Sequence, residues 1–285
     1  MSTAAAPAVR RRFLGDRRRR TLAWVGLSLL VVLGVFVAGG VAGDAASTTA
    51  LADRNLGPSA GHPFGTDPLG RDLLARVLAG LRLSLVVGTT AALISAVIAL
   101  VLASAAAVFG GVVDRVVSWL VDLFLALPHL VLLILLAFVL GGGTQAAVLA
   151  VALTHWPTLT RVLRGRAREI VSSDHVAVSR QLGHGRAWIA RHHLAGHLTG
   201  HFLVGAVLLF PHAILHEAAL SFLGLGVDPG EPSIGVLLAE SMRYLSAGAW
   251  WLAVLPGLCL LVVVKLVDTM GENTRALLDP RSAHL

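Results

Sequence analysis

The chain has 285 residues, 56% of them hydrophobic and 14% charged, with a mean hydropathy of +0.79. A water-soluble domain of this length needs far more charge to cover its surface, so that class is excluded and a bilayer is the natural solvent. The formal charge of +7 is almost wholly arginine, since Lys265 is the only lysine, and arginine clusters beside apolar spans mark cytoplasmic membrane flanks rather than a nucleic-acid surface.

In chain order, residues 1–20 form a basic tail with Arg10, Arg11, Arg12 and Arg17 to Arg20. Residues 21–43 are uncharged and too long for the core of a cleaved secretory signal, and they are expected to be a retained first membrane helix. A polar segment follows over 44–82. Residues 83–110 read as a second span, and Gly110, Gly111, Asp114 and Arg115 as a short turn. A third span is expected over 116–140, carrying Asp122, Pro128 and His129, with Asp122 and His129 sharing a face seven residues apart. The run Gly141-Gly142-Gly143 ends it, and a fourth span over 144–160 contains His155 and Pro157.

Residues 161–196 differ in kind. They hold Arg161, Arg164, Arg166, Arg168, Arg180, Arg186 and Arg191, with Ile170, Val176, Leu182 and Ile189 at helical spacing. This segment is expected to form one or two short amphipathic helices on the basic side of the membrane. A fifth span lies within 197–220, a loop rich in glycine and proline within 224–246, and a sixth span over 249–266. The membrane-spanning core thus runs over 83–268, with a tail at 269–285.

The expected fold class is all-α: a polytopic bundle of six transmembrane helices with both termini cytoplasmic. On that topology Arg54, Arg71, Arg76, Arg82 and Arg243 lie outside, and the remaining 18 of the 23 Arg and Lys residues lie inside. The asymmetry obeys the positive-inside rule. The lone Cys259 excludes an internal disulfide and a cysteine-based metal site.

Three stretches carry a family resemblance. Residues His62-Pro63-Phe64-Gly65-Thr66-Asp67-Pro68-Leu69-Gly70-Arg71-Asp72, continuing through Arg76, Gly80 and Arg82-Leu83-Ser84-Leu85, form the first. Leu220-Ser221-Phe222-Leu223-Gly224-Leu225-Gly226-Val227, with Pro232, Ser233 and Gly235, form the second, and Leu278-Asp279-Pro280-Arg281 the third. In order and spacing they resemble the C-type permeases of dipeptide, oligopeptide and nickel importers driven by ATP. The resemblance implies a translocation subunit in the cytoplasmic membrane, surrounded by lipid and without catalytic residues. It also implies a second homologous permease, two ATP-binding subunits and an extracytoplasmic substrate-binding protein. No nucleic-acid partner and no cofactor on this chain are expected; ATP and Mg belong to the partner subunits, since the sequence has no G-x-x-x-x-G-K-[ST] phosphate loop.

The basic segment resembles the family's coupling loop to the ATPase, with Val178, Ser179, Leu182, Gly183 and Ile189 as its expected residues. Ala195 stands where the family usually has proline, and Val178-Ser179 where it has paired alanines. For the substrate path the candidates are His212, His216, Asp122 and His129. His212 and His216, at i and i+4 on one helical face, are also candidate transient metal ligands, because imidazole suits Ni, Zn and Cu. The segment through Glu217 resembles the nickel-type permeases, although that glutamate is common to the wider peptide group.

His216-Glu217-Ala218-Ala219-Leu220 begins like the zinc-protease motif H-E-x-x-H but ends in leucine, so an intramembrane metalloprotease is excluded by that motif. A secondary transporter or a metal-ion permease without a nucleotidase is the remaining alternative.

Overall fold

The computed structural model describes residues 8–278 as helices joined by connections, one of them the long segment 54–72 before α3. The first helix, α1 (Ala8–Val41), begins inside the segment read as a basic tail, and α2 (Gly43–Ser47) and a 3-10 turn at Leu51–Asp53 follow it. Next come α3 (Leu73–Phe109), α4 (Gly111–Ala126), α5 (His129–Val139) and α6 (Gly143–Val171). Then come α7 (Asp174–Gln181), α8 (Arg186–Ile189), α9 (Ala195–Phe222), α10 (Ile234–Ser241) and α11 (Trp251–Leu278). Residues 1–7 and the Asp279-Pro280-Arg281 motif lie outside the described residues.

Among the described residues five helices are long and apolar enough to cross a membrane, and a sixth crossing arises if α4 and α5 together make one span. The third expected span is therefore corrected: it is not one straight helix but two, bent by 98°. Its break falls at Leu127, which is extended (φ −80°, ψ 142°), immediately before Pro128. The proline ring disfavours the helical region for the residue before it, so α4 stops there. Pro157, Pro211 and Pro256 sit inside continuous helices. The expected turn through Asp114 and Arg115 is also corrected. Gly110 and Gly111 turn the chain (φ 61° and 49°), and α4 starts at Gly111 with Asp114 in its first turn.

Helix α3 occupies the centre and packs against α6, α9 and α1. Its buried alanines Ala92, Ala96, Ala99, Ala103 and Ala106 alternate steps of four and three residues and so form one stripe. Small residues let helix backbones approach closely, which matters in lipid because the hydrophobic effect does not drive helices together there. On this stripe Trp156, Leu159 and Leu163 of α6 and Leu198 of α9 close the packing. Large apolar side chains such as Leu30, Leu33, Val37, Val101, Phe138 and Leu261 remain more than half exposed on the outside of the bundle. In water they would be a liability; in a bilayer they meet acyl chains.

The basic segment is only partly what its charge suggested. Residues 161–171 continue α6, and the chain turns into α7 only at Ser173. At its other end α8 runs through a π-helical turn, Ala190–Leu194, directly into α9, giving one helical stretch from Arg186 to Phe222. Ala195 explains the continuity: its N–H donates to the Ala190 carbonyl. A proline there has no such donor, and that hydrogen bond would be lost.

Candidate functional site

Four arrangements place the residues singled out in the sequence. At one end of the bundle, the segment 62–72 folds around the Asp67 carboxylate, whose residue is 1% exposed. Oδ1 accepts the Leu69 and Arg71 N–H groups at 2.8 and 2.9 Å. Oδ2 accepts Arg71 Nε and Arg76 Nη1, both at 2.6 Å. Arg76 reaches on to Glu240 of α10 at 2.9 Å. Asp72 caps α3 by accepting the Ala75 N–H at 2.9 Å and pairs with His62 Nδ1, also at 2.9 Å. Gly65, Thr66, Asp67, Gly70, Arg71 and Asp72 thus act together as a clasp joining a loop, α3 and α10.

Deeper in the bundle, Glu217 of α9 is fully buried. It accepts hydrogen bonds from Ser84 of α3 at 2.6 Å and from Ser221 at 2.8 Å, with Ser233 at 3.5 Å. Ser221 in turn accepts the Val227 N–H at 2.9 Å. Gly224 closes α9 in a Schellman turn: Gly224 N–H donates to Ser221 O and Leu225 N–H to Leu220 O. Leu223 and Phe222 face outward, whereas Gly226 packs on Ser221. Gly235 at the start of α10 lies so close to α9 that a Cβ there would meet the Ala218 carbonyl oxygen, and Ser221 Cβ at 2.6 Å. Gly235→Ala should therefore force α10 off α9 and cost about 1–3 kcal/mol, the usual range for overpacking. A lower thermal-unfolding midpoint in detergent checks this; an unchanged midpoint refutes it.

The histidines regroup. His216 of α9 meets His129 of α5 and His155 of α6, with ring centroids 4.6 Å apart for His129–His155 and 4.9 Å for the other two pairs. His212 is exposed and stands outside this group, its Nδ1 3.3 Å from Leu208 O. Of the expected His212–His216 pair, the structure brings His216 into a group with His129 and His155 and leaves His212 outside that group. The expected face shared by Asp122 and His129 is corrected as well. The break at Leu127 separates them, and Asp122 pairs with Arg161 at 2.7 Å on the exposed side of α4.

The fourth arrangement is the basic loop. Helix α7 ends in another Schellman turn, with Gly183 N–H donating to Arg180 O at 3.0 Å, His184 N–H to Ser179 O at 3.1 Å, and Gly183 at φ 87°. Val176, Ser179 and Ile189 are buried, so they anchor the loop to the bundle rather than present it. Val178 and Leu182 are 53% and 73% exposed and form the outward apolar face. Trp188 is sandwiched between His184 and His192, with centroid separations of 3.7 and 4.4 Å. Arg180, His184 and Arg186 border a cleft of about 530 Å³ against the end of α3. Asp114 holds α6 beside α4 through Arg164 at 2.5 Å and through Arg168.

Sequence reasoning missed Ser84 and Ser233 as partners of Glu217, Arg76 and Glu240 as partners of Asp67, and His155 as the third histidine. A usable signal existed for Ser84 and Glu217, since polar groups inside apolar spans require partners.

Residues 95–278 match the family described as binding-protein-dependent transport system inner membrane component. The dipeptide transport system permease protein DppC of Bacillus subtilis is 32% identical, over 93% of this chain and 83% of its own length. The di/tripeptide transport system permease protein DppC of Pseudomonas aeruginosa is 37% identical, over 76% of this chain and 72% of its own. The dipeptide transport system permease protein DppC of Alkalihalophilus pseudofirmus is 32% identical, with coverages of 93% and 87%.

Proposed function

The chain belongs to the family of binding-protein-dependent inner membrane components, as a multi-pass ABC importer permease of the cytoplasmic membrane, and from that premise we propose that its cargo is a di- or oligopeptide. What carries this reading is the similarity to three permeases named for dipeptides or di/tripeptides, over most of their length. The signature clasp around Asp67 and the Glu217 network lie in the stretches that resemble the family, so they support the importer reading and favour neither cargo.

The mechanism is alternating access. An extracytoplasmic binding protein delivers cargo to the face that carries the Asp67 clasp, and this chain and a homologous permease hold a path between their helices. Two partner subunits bind ATP and Mg; this chain has no phosphate loop to do so. Their closure pushes on the loop through Val178, Leu182 and Gly183, which lies on the cytoplasmic side together with both termini. The permease makes different contacts in two states and no covalent bonds.

A second cargo, nickel or a metal chelate, is favoured by one observation, the convergence of His129, His155 and His216. Uptake of labelled dipeptide against labelled nickel, in cells with and without this chain, decides between them. Loss of dipeptide uptake alone on deleting the chain is the expected result. Dipeptide uptake that survives deletion overturns the peptide reading, and uptake that persists when the partner nucleotidase's Walker lysine is replaced overturns ATP drive.

A further inference from the structure

Three imidazoles from three separate helices meet at one point inside the bundle. One ring nitrogen from each of His129, His155 and His216 lies within 4.8 Å of the other two, the one cluster of three metal-ligating side chains among the described residues. A tetrahedral ion held at about 2.1 Å by three nitrogens sets them roughly 3.4 Å apart, so each ring needs an inward shift of about an ångström or less.

Hydrogen bonding fixes which nitrogen is offered. His155 Nδ1 lies 2.8 Å from the Val151 carbonyl oxygen. A carbonyl only accepts, so Nδ1 carries the hydrogen and, in the neutral ring, Nε2 carries the lone pair. This is the usual outer support of a metal-bound histidine, whose far nitrogen donates to a backbone carbonyl and so sets the tautomer and ring direction. His155 is 9% exposed, and its Nε2 is buried with no hydrogen-bond partner among the described residues; His129 Nε2 is in the same condition. Two buried, unsatisfied ring nitrogens are costly in a low-dielectric interior, and a shared cation satisfies both together.

The surroundings select the kind of ion. Neutral nitrogen ligands suit the borderline late first-row divalent ions and are poor for Mg²⁺ or Ca²⁺, which prefer oxygen. No carboxylate completes the set, because the neighbouring Glu217 is engaged with Ser84 and Ser221. His129 and His216 are only partly buried, so the cluster is not sealed from the surface of the chain.

We propose that His129, His155 and His216 form a three-imidazole site for a divalent late first-row ion, Ni²⁺, Zn²⁺ or Cu²⁺, with a fourth coordination position left open. An open fourth position distinguishes exchangeable from closed structural sites. The site also pins α5 to α6 and α9 immediately after the 98° break, where α5 has lost its helical continuity with α4. The inference rests on side-chain geometry and does not require the peptide reading.

The test uses the full chain in lipid nanodiscs, purified through a tag that contains no histidine, with Co²⁺ as a spectroscopic probe and Ni²⁺ and Zn²⁺ measured by equilibrium dialysis. One equivalent of ion and a tetrahedral Co²⁺ absorption are expected. His155→Gln and His216→Gln should each weaken binding by about 100-fold or more, since even supporting residues are worth 10–100-fold. His212→Gln should leave binding as it is. His155→Cys controls for misfolding: it should restore the ion with a thiolate-to-cobalt band that the wild-type chain lacks. Wild-type chain that binds no more ion than empty nanodiscs overturns the proposal. So does unchanged binding in His155→Gln, or a His155→Cys chain that binds Co²⁺ without the thiolate band. Binding without peptide or metal uptake leaves the site standing, and peptide uptake without binding removes the site while sparing the peptide reading.

Discussion

Asp67→Ala is expected to destabilise the chain by about 3–5 kcal/mol, the range for removing one partner of a buried charge pair. Asp67 and Arg76 side chains are 2% and 3% exposed, so Arg76 would keep its charge in a dry pocket with Glu240 as its remaining carboxylate. Glu240 is 37% exposed and partly hydrated, and does not replace what is lost. The Leu69 and Arg71 N–H groups lose their acceptor at the same time. The measurement is the yield of monodisperse chain and its unfolding midpoint in detergent. Glu240→Ala should cost far less, about 1 kcal/mol, because the Glu240 side chain is partly hydrated and Arg76 keeps Asp67. Asp67→Ala combined with Arg76→Met should recover part of the loss, since it removes the stranded charge. If the single and double variants unfold alike, the clasp does not work through charge pairing.

The same clasp explains what the sequence hid. The stretch 44–82 reads as polar because it contains Asp67, Arg71, Asp72, Arg76 and Arg82, yet α3 begins at Leu73. Charges usually argue against a helix entering the bundle, but Arg76 is neutralised by Asp67, nine residues back, and by Glu240, 164 residues on. No local window contains that second partner. The apolar spans, by contrast, were legible because lipid demands charge-free runs of about 20 residues wherever a helix crosses. Their ends were not, since α6 and α11 continue past the apolar run as helices whose polar residues pair with one another, as Lys265 does with Asp268 at 2.8 Å.

Prolines show the limit most sharply. Four lie in or beside the apolar runs and look equivalent in sequence, but only Pro128 follows a break, while Pro157, Pro211 and Pro256 ride inside helices. A freed backbone group in a bundle is satisfied by neighbours, so the outcome depends on tertiary packing. The histidine triad fails for a related reason. The spacing rule i, i+4 finds pairs on one helix, and it pointed to His212 and His216. Convergence of positions 129, 155 and 216 depends on how three helices cross, and on a bend that reorients the first of them.

Gly183→Val is expected to cut transport by about tenfold or more while leaving the chain in the membrane at normal level. Gly183 has φ 87°, a conformation that costs an L residue about 1–2 kcal/mol, and more when the residue is β-branched. Nothing lies within 4 Å of a Cβ built there, so the penalty is confined to the backbone turn and does not reach the core. The turn closes α7 and aims Val178 and Leu182 outward; once it relaxes, that face is no longer fixed relative to Trp188 and the anchored Ile189. If the docking-competent loop becomes a minor state, apparent affinity for the ATPase falls by the same fraction, about tenfold for each 1.4 kcal/mol. The checks are labelled-substrate uptake at matched expression and ATP hydrolysis by the reconstituted importer, which should persist without transport. Gly183→Asn is the discriminating control, because asparagine enters the left-handed region readily and should keep most of the uptake. Wild-type uptake in Gly183→Val, or equal losses in Gly183→Val and Gly183→Asn, would show that the turn does not set the coupling face.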